Sequence, residues 1–196
     1  SGNTWTCAVA TNNADSDGSM TFSIAYTDIG GTAGVADTTV DDGSSVTIDN
    51  THPTSTSAVL AVGGSGNGNN GDSMTLTLNP SEDVSAPTCT FTSGGSAMAN
   101  TVSYSTTGDD SHVATITIAD GDTDGAVAFS CTYSDLAGNA IATAITAATS
   151  GAVTVDNTHP TLTAVGIAVD NTGNANNGDD ITLTLTASEA VGTPTC

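Results

Sequence analysis

The pentapeptide Asp49-Asn50-Thr51-His52-Pro53 returns unchanged as Asp156-Asn157-Thr158-His159-Pro160, an offset of 107 residues. The surrounding sequence keeps that offset without a gap. Thr88-Cys89 returns as Thr195-Cys196, and Asp15-Ser16-Asp17-Gly18 as Asp122-Thr123-Asp124-Gly125. A repeat of this kind outranks any reading of the chain as one long domain. Three segments are expected: 1–49 as the C-terminal part of a module, 50–156 as a complete module, and 157–196 as the N-terminal part of the next. Residues 90–107 have no counterpart across the junction between copies. Two arrangements fit. The chain is a window from a longer array, which is the preferred reading, or a protomer whose last strands complete the first strands of the next. Both give a head-to-tail filament of copies of itself. The chain opens in mid-module with no leader, as a fragment of a longer precursor would.

Within each copy the hydropathy alternates with a period of two. Met74-Thr75-Leu76-Thr77-Leu78 sets apolar residues on one face and threonines on the other, and 112–118 and 127–133 do the same. Thr and Val runs punctuated by Gly, Asn, Asp and Ser fit half-buried strands. No segment carries a helical period. The alanine-rich run 137–150 is read as loop plus strand, because its counterpart 30–44 is rich in Gly, Thr and Asp. The complete module then holds strands near 57–63, 73–79, 87–93, 101–105, 112–118, 125–134 and 150–155. That count, in roughly 100 residues, is the count of a seven-stranded immunoglobulin-like β-sandwich. The expected fold class is all-β, with such sandwiches in a linear array.

Charge excludes several functions. There are 21 acidic residues and no Lys or Arg, for a net charge of −21. Recognition of nucleic acid, which requires cations to displace counterions, is ruled out, and so is docking on an anionic membrane surface. No apolar run is long enough to span a bilayer, so no membrane insertion is expected. The acids must be solvated or must share bound cations. A solvating coat is the simpler alternative, but charged residues make up only 11% of the chain and cluster at particular points, which favours shared cations.

The clusters are loops. Asp120-Gly-Asp122-Thr-Asp124-Gly125 reads DxDxDG, with Asn13-Ala-Asp15-Ser-Asp17-Gly18 as its counterpart. Oxygen ligands at positions 1, 3 and 5 with a turning glycine at 6 suit a hard cation such as Ca2+. Position 12 is Cys131, not Glu, and a strand follows, so this is no EF-hand. The topology of a seven-stranded sandwich gathers Asp15, Asp17, Asp49, Asn50, Glu82 and Asp135 at the first joint, and Asp122, Asp124, Asp156, Asn157 and Glu189 at the second. So many acids without a Lys or Arg repel one another unless a cation sits among them. Ca2+ is expected at each joint.

The four cysteines lack metal-type spacing. Alternation puts Cys89 and Cys131 on inward faces, giving an expected intramodule disulfide and an oxidising, extracellular setting. Cys7 corresponds to Ala114 and Cys196 to Cys89, so Cys196 is expected to pair with a Cys7-type residue of the next unit. Buried free thiols are the alternative.

The segments ADGDTDGAVAFSCTYSDLAGNA, VTVDNTHPTLTAV and ITLTLTASEAVGTPTC resemble the bacterial Ig-like repeats of very long surface proteins and adhesins. That resemblance, over essentially the whole chain, implies tandem sandwiches stiffened by calcium at their linkers in a cadherin-like manner. His52 and His159 depart from the commonest joint pattern and read as packing spacers. Other motifs carry little. Gly66-Asn-Gly68-Asn-Asn-Gly71 matches GxGxxG but precedes a strand, so it is a turn and not a dinucleotide site. His112 reads as a core histidine, and Trp5, Tyr26 and Tyr133 as core or sheet aromatics. No nucleophile–base set emerges, and an enzyme is not expected. Ser and Thr on outward faces are possible O-glycan carriers. The expected function is structural: a repeat unit of an extracellular filament, stalk or cell-surface appendage. The alternative is a calcium-dependent adhesin binding a glycan or protein, which an exposed aromatic or a sharply divergent loop would favour.

Overall fold

The computed structural model describes residues 3–63, 66–107, 110–170 and 173–195. Strands are its only regular elements among those residues, as the two-residue alternation requires. In the N-terminal segment β1 (Gly18–Ser19) pairs with β2 (Thr47–Ile48). The middle of the chain carries β3 (Ser55–Val62), β4 (Asn67–Gly68), β5 (Ser73–Pro80), β6 (Thr88–Ser93) and β7 (Ser96–Ala97). It continues with β8 (Ser103–Thr107), β9 (Ser111–Thr117), β10 (Gly125–Thr132) and β11 (Thr154–Val155). At the C-terminal side β12 (Leu162–Val169) pairs with β13 (Ile181–Ala187).

The middle strands form two sheets, ordered β3-β5-β9-β8 and β4-β11-β10-β6-β7. Their facing sides share one core. Met74, Leu76 and Leu78 of β5 are completely buried, and the intervening Thr75 and Thr77 are half-exposed. Ala114 and Ile116 of β9 and Phe91 and Phe129 of the second sheet pack into the same cluster. Phe91 and Phe129 lie opposite each other in register, ring centroids 6.2 Å apart and tilted by 44°. Such cross-strand aromatic pairs stabilise by about 0.5–1.5 kcal/mol beyond the area they bury. His112 is buried in β9, the core position its alternation predicts. The run 137–150 is not helical; it folds back along the end of β10 and the residues just after it through the isolated bridges Cys131–Ile145 and Ser134–Ala140.

Cys89 and Cys131 also face each other in register and are joined by a disulfide. The amide and carbonyl of Cys131 bond to Ile145, pointing away from β6. The pair is therefore of the non-hydrogen-bonded kind, in which opposed residues come closest, and the Cα atoms are 4.1 Å apart. Closing a loop of 42 residues stabilises by roughly 4 kcal/mol in the chain-entropy account.

The chain entering this double sheet and the chain leaving it run side by side. β4 pairs with β11 in parallel, and Val59 bridges Ser150 in parallel. The GxGxxG stretch thus supplies a two-residue strand as well as the expected turn. Gly151 lets the backbone approach β3 at this point: with φ at 81°, a Cβ there would sit 1.9 Å from the Leu60 carbonyl oxygen.

The flanking segments reproduce the central registers. Gly18 faces Ile48 as Gly125 faces Val155, and Ile167 faces Leu183 as Leu60 faces Leu76. What they lack is cover. Residues 3–10 form no strand, and the N-terminal segment, expected to be the C-terminal part of a module, carries β1, β2 and isolated bridges among its described residues. A strand needs neighbours to form its ladder, and among the described residues none pairs with residues 3–10. Trp5, expected as a core or sheet aromatic, is 91% exposed. No third strand begins among described residues 188–195, and Cys196 lies outside the described residues, so its expected pairing with Cys7 does too. Cys7 is free and exposed.

Candidate metal centre

Three segments meet at the first joint: the linker after β2, the turn after β5 and the loop after β10. They bring Asp49, Glu82 and Asp135 together, with one carboxylate oxygen of each within 4.8 Å of the others. Hydrogen bonds fix the arrangement. The Asp135 side chain, nearly buried, accepts from the amides of Gly138 (2.7 Å) and Asn139 (2.8 Å) and from Asn139 Nδ2 (2.8 Å). Asn139 Nδ2 also donates to the Asp49 carbonyl at 3.0 Å, tying linker to loop. Tyr133 donates its hydroxyl to the Thr54 carbonyl. His52 is more than a spacer: its Nδ1 lies 2.7 Å from the Ala140 carbonyl, and an acceptor there requires the proton on Nδ1. Pro53 beside it is fully buried.

The electrostatics follow from this crowding. Burial, reinforced by Asp49, Asp135, Asp17 and Asp83, raises the Glu82 pKa. Burial would also raise that of Asp135, but the donors from Asn139, Gly138 and Ala137 outweigh it and the net direction is down. Asp135 thus stays charged while Glu82 resists ionisation. An all-oxygen, all-anionic donor set in a chain without Lys or Arg suits a hard cation and not a soft one.

Asp15, Asp17, Asp122 and Asp124 of the DxDxDG loops are engaged in hydrogen bonds. Asp17 accepts from the Asn50 amide (2.7 Å) and the Thr51 hydroxyl (2.6 Å). Asp124 does the same with Asn157 (2.7 Å) and Thr158 (2.5 Å). Both carboxylates are held below the ordinary aspartate value, first by the threonine hydroxyl and then by the asparagine amide. Asn50 Nδ2 donates to the Asp15 carbonyl, and Asn157 Nδ2 to those of Ala119 and Asp122. The Asp15 side chain closes its own turn on the Asn12 amide at 2.8 Å. Asp122 is buried, with Oδ1 accepting from the Ala99 amide and Oδ2 from that of Ala119, both at 2.8 Å. These four aspartates brace backbone directly and do not join the acidic triad.

At the second joint Asp156 and Glu189, with Asp120, Asn69 and Asn70, line a cleft of about 510 Å³. Glu189 Oε1 is buried there without a hydrogen-bond partner. Asp156 Oδ1 accepts only a 3.2 Å bond from Thr158 among the hydrogen bonds at this joint. The counterpart of Asp135 lies outside this sequence, so the triad is assembled at one joint among the described residues. Sequence reasoning missed Asn139 and the His52 bond. The repeat carries no letter-level signal for the first, since Thr32 stands at the position of Asn139, although its amide donates to Asp28 as that of Asn139 does to Asp135. Comparison with protein families, with curated proteins and with solved structures found no match.

Proposed function

We propose that this chain is a structural repeat unit of an extracellular filament, stalk or cell-surface appendage, built from tandem seven-stranded Ig-like sandwiches and stiffened by Ca2+ at the joints. The observation that carries the reading is the convergence of Asp49, Glu82 and Asp135, from linker, turn and loop, in a chain with no cationic side chain. A cation held there would cross-link the linker to the module that follows and restrict bending between them. The strand orders support the Ig-like assignment, since β3-β5-β9-β8 against β11-β10-β6 is the four-against-three division of a constant-type domain. The disulfide supports an oxidising setting outside the cell. Units that contact only their neighbours suit a quasi-one-dimensional, load-bearing role.

Isothermal titration with CaCl2 tests the site. Saturable binding is expected, together with a melting temperature that falls on adding EDTA, and both should be lost in Glu82→Gln and Asp135→Asn. A melting curve indifferent to EDTA would sink the calcium joint.

A further inference from the structure

The central unit departs from its flanking copies in three polar residues that line one cavity. At the 107-residue offset Trp5, Ala190 and Asn3 stand in place of His112, Asp83 and Asp110, while Glu82, Val84 and Asp135 are matched by Glu189, Val191 and Asp28. The three substituted residues line a cavity of about 410 Å³ together with Val84, Thr106, Thr107 and Leu136. It lies where the turn after β5, the β8–β9 hairpin and the loop after β10 meet. The repeat pattern does not account for these groups. His112 argues for a ligand. It is 6% exposed, opposite Thr106 in the β8–β9 ladder, and among the described residues no hydrogen bond reaches its ring. A buried imidazole without a partner is costly, and a group that fills the cavity would supply one.

The lining selects what that group is. A net charge of −21 without Lys or Arg turns away an anion. A bare metal ion needs donors that converge, and the set of three within 4.8 Å among the described residues is Asp49, Glu82 and Asp135, outside this cavity. What remains is a ligand of several atoms that donates hydrogen bonds. The carboxylates of Asp83 and Asp110, the threonine hydroxyls and one nitrogen of a neutral imidazole all accept. Val84 and Leu136 add an apolar wall along which an aliphatic stem can lie. We propose that this cavity binds an alkylguanidinium, the side chain of an arginine presented by a partner protein. The planar fork of five donors suits several acceptors around one cavity, and it is more weakly hydrated than an ammonium. These 196 residues contain no arginine, so the group comes from outside them. The proposal adds a partner to the filament reading and does not depend on calcium.

NMR of the His52, His112 and His159 rings in the full 196-residue chain tests it, in EDTA and at about 0.15 M NaCl to screen diffuse attraction to the other acids. A short peptide with one arginine and no other charge should shift the His112 ring saturably and leave the other two in place. The lysine version should bind more weakly, and the citrulline version, which keeps the shape without the charge, should not bind. Asp83→Ala, which installs the residue of the next copy, should weaken binding roughly tenfold by removing a charge-assisted acceptor. Asp41→Ala makes the same charge change outside the cavity and should leave binding unaltered. Asp83 is exposed, so the central unit should melt as before; His112→Phe is the second variant and should abolish binding. Equal shifts at all three histidines, citrulline or lysine binding as tightly as arginine, or indifference to Asp83→Ala would each overturn the proposal. Butylguanidinium separates the sources: if it binds more tightly than the arginine peptide, the assignment to a partner protein is lost. Because these readouts are taken in EDTA, they stand or fall separately from the calcium titration.

Discussion

Glu82 is the residue whose protonation reports on the joint. Its pKa lies above the ordinary 4.5, so between that value and the raised one the folded chain holds a proton that the unfolded chain has released. In that window stability falls as pH rises and is regained on acidification. Asp17, Asp124 and Asp135 have the opposite sign: their contribution is present above 3.8 and is lost as pH falls through their lowered values. In EDTA, melting temperature should therefore rise as pH is lowered through the window just above 4.5 and then fall. Glu82→Gln should flatten the upper limb only. A second residue-scale expectation concerns the braces. Asp124→Asn removes a charged acceptor from the Asn157 amide and the Thr158 hydroxyl, and hydrogen exchange at the Asn157 amide should speed up by tenfold or more. The sequence showed which aspartates cluster, because DxDxDG and the repeated pentapeptide are visible as letters. It did not show which oxygen each carboxylate serves. Asp122 and Asp124 are alike in type and two residues apart, yet one faces the Ala99 and Ala119 amides and the other the linker. That choice belongs to loop backbone geometry.

At the scale of the element, period-two alternation made most strands of the central unit legible to within about two residues. β5 is the plainest case, its Met74, Leu76 and Leu78 completely buried between two neighbouring strands. Leu76→Ala should destabilise by about 2–5 kcal/mol in a denaturant melt, since the cavity it leaves is walled on both sides. Thr77→Val on the outward face should stay within about 0.5 kcal/mol. Trp5 differs from that pattern: read as a core or sheet aromatic, it is exposed. Alternation reports which face of a strand is apolar. It does not report whether a partner stands against that face.

For the molecule as a whole, 21 acids without Lys or Arg produce self-repulsion that ordinary salt screens. The screening length drops from about 30 Å at 0.01 M to about 8 Å at 0.15 M, so melting temperature should climb with NaCl over that range. CaCl2 at matched ionic strength should raise it further, by an amount equivalent to about 2.7 kcal/mol at a free concentration one hundred times Kd. Scanning calorimetry in the two salts separates screening from binding.

The parallel run of the chain entering the central unit (β3 and β4) beside the chain leaving it (Ser150 and β11) has a mechanical meaning. In the filament proposed above, tension would reach this unit through the chain before β3 and the chain after β11. Pulled in opposite directions, the two would slide along each other. The bonds that resist lie in a row: Thr149 to Ala58, Leu60 to Ser150, Thr154 to Gly66 and Asp156 to Gly68. Sliding loads all of them together, whereas peeling would break them one at a time. A unit wired in this way holds its ends in shear, and should yield at a higher force than one whose terminal strands unzip.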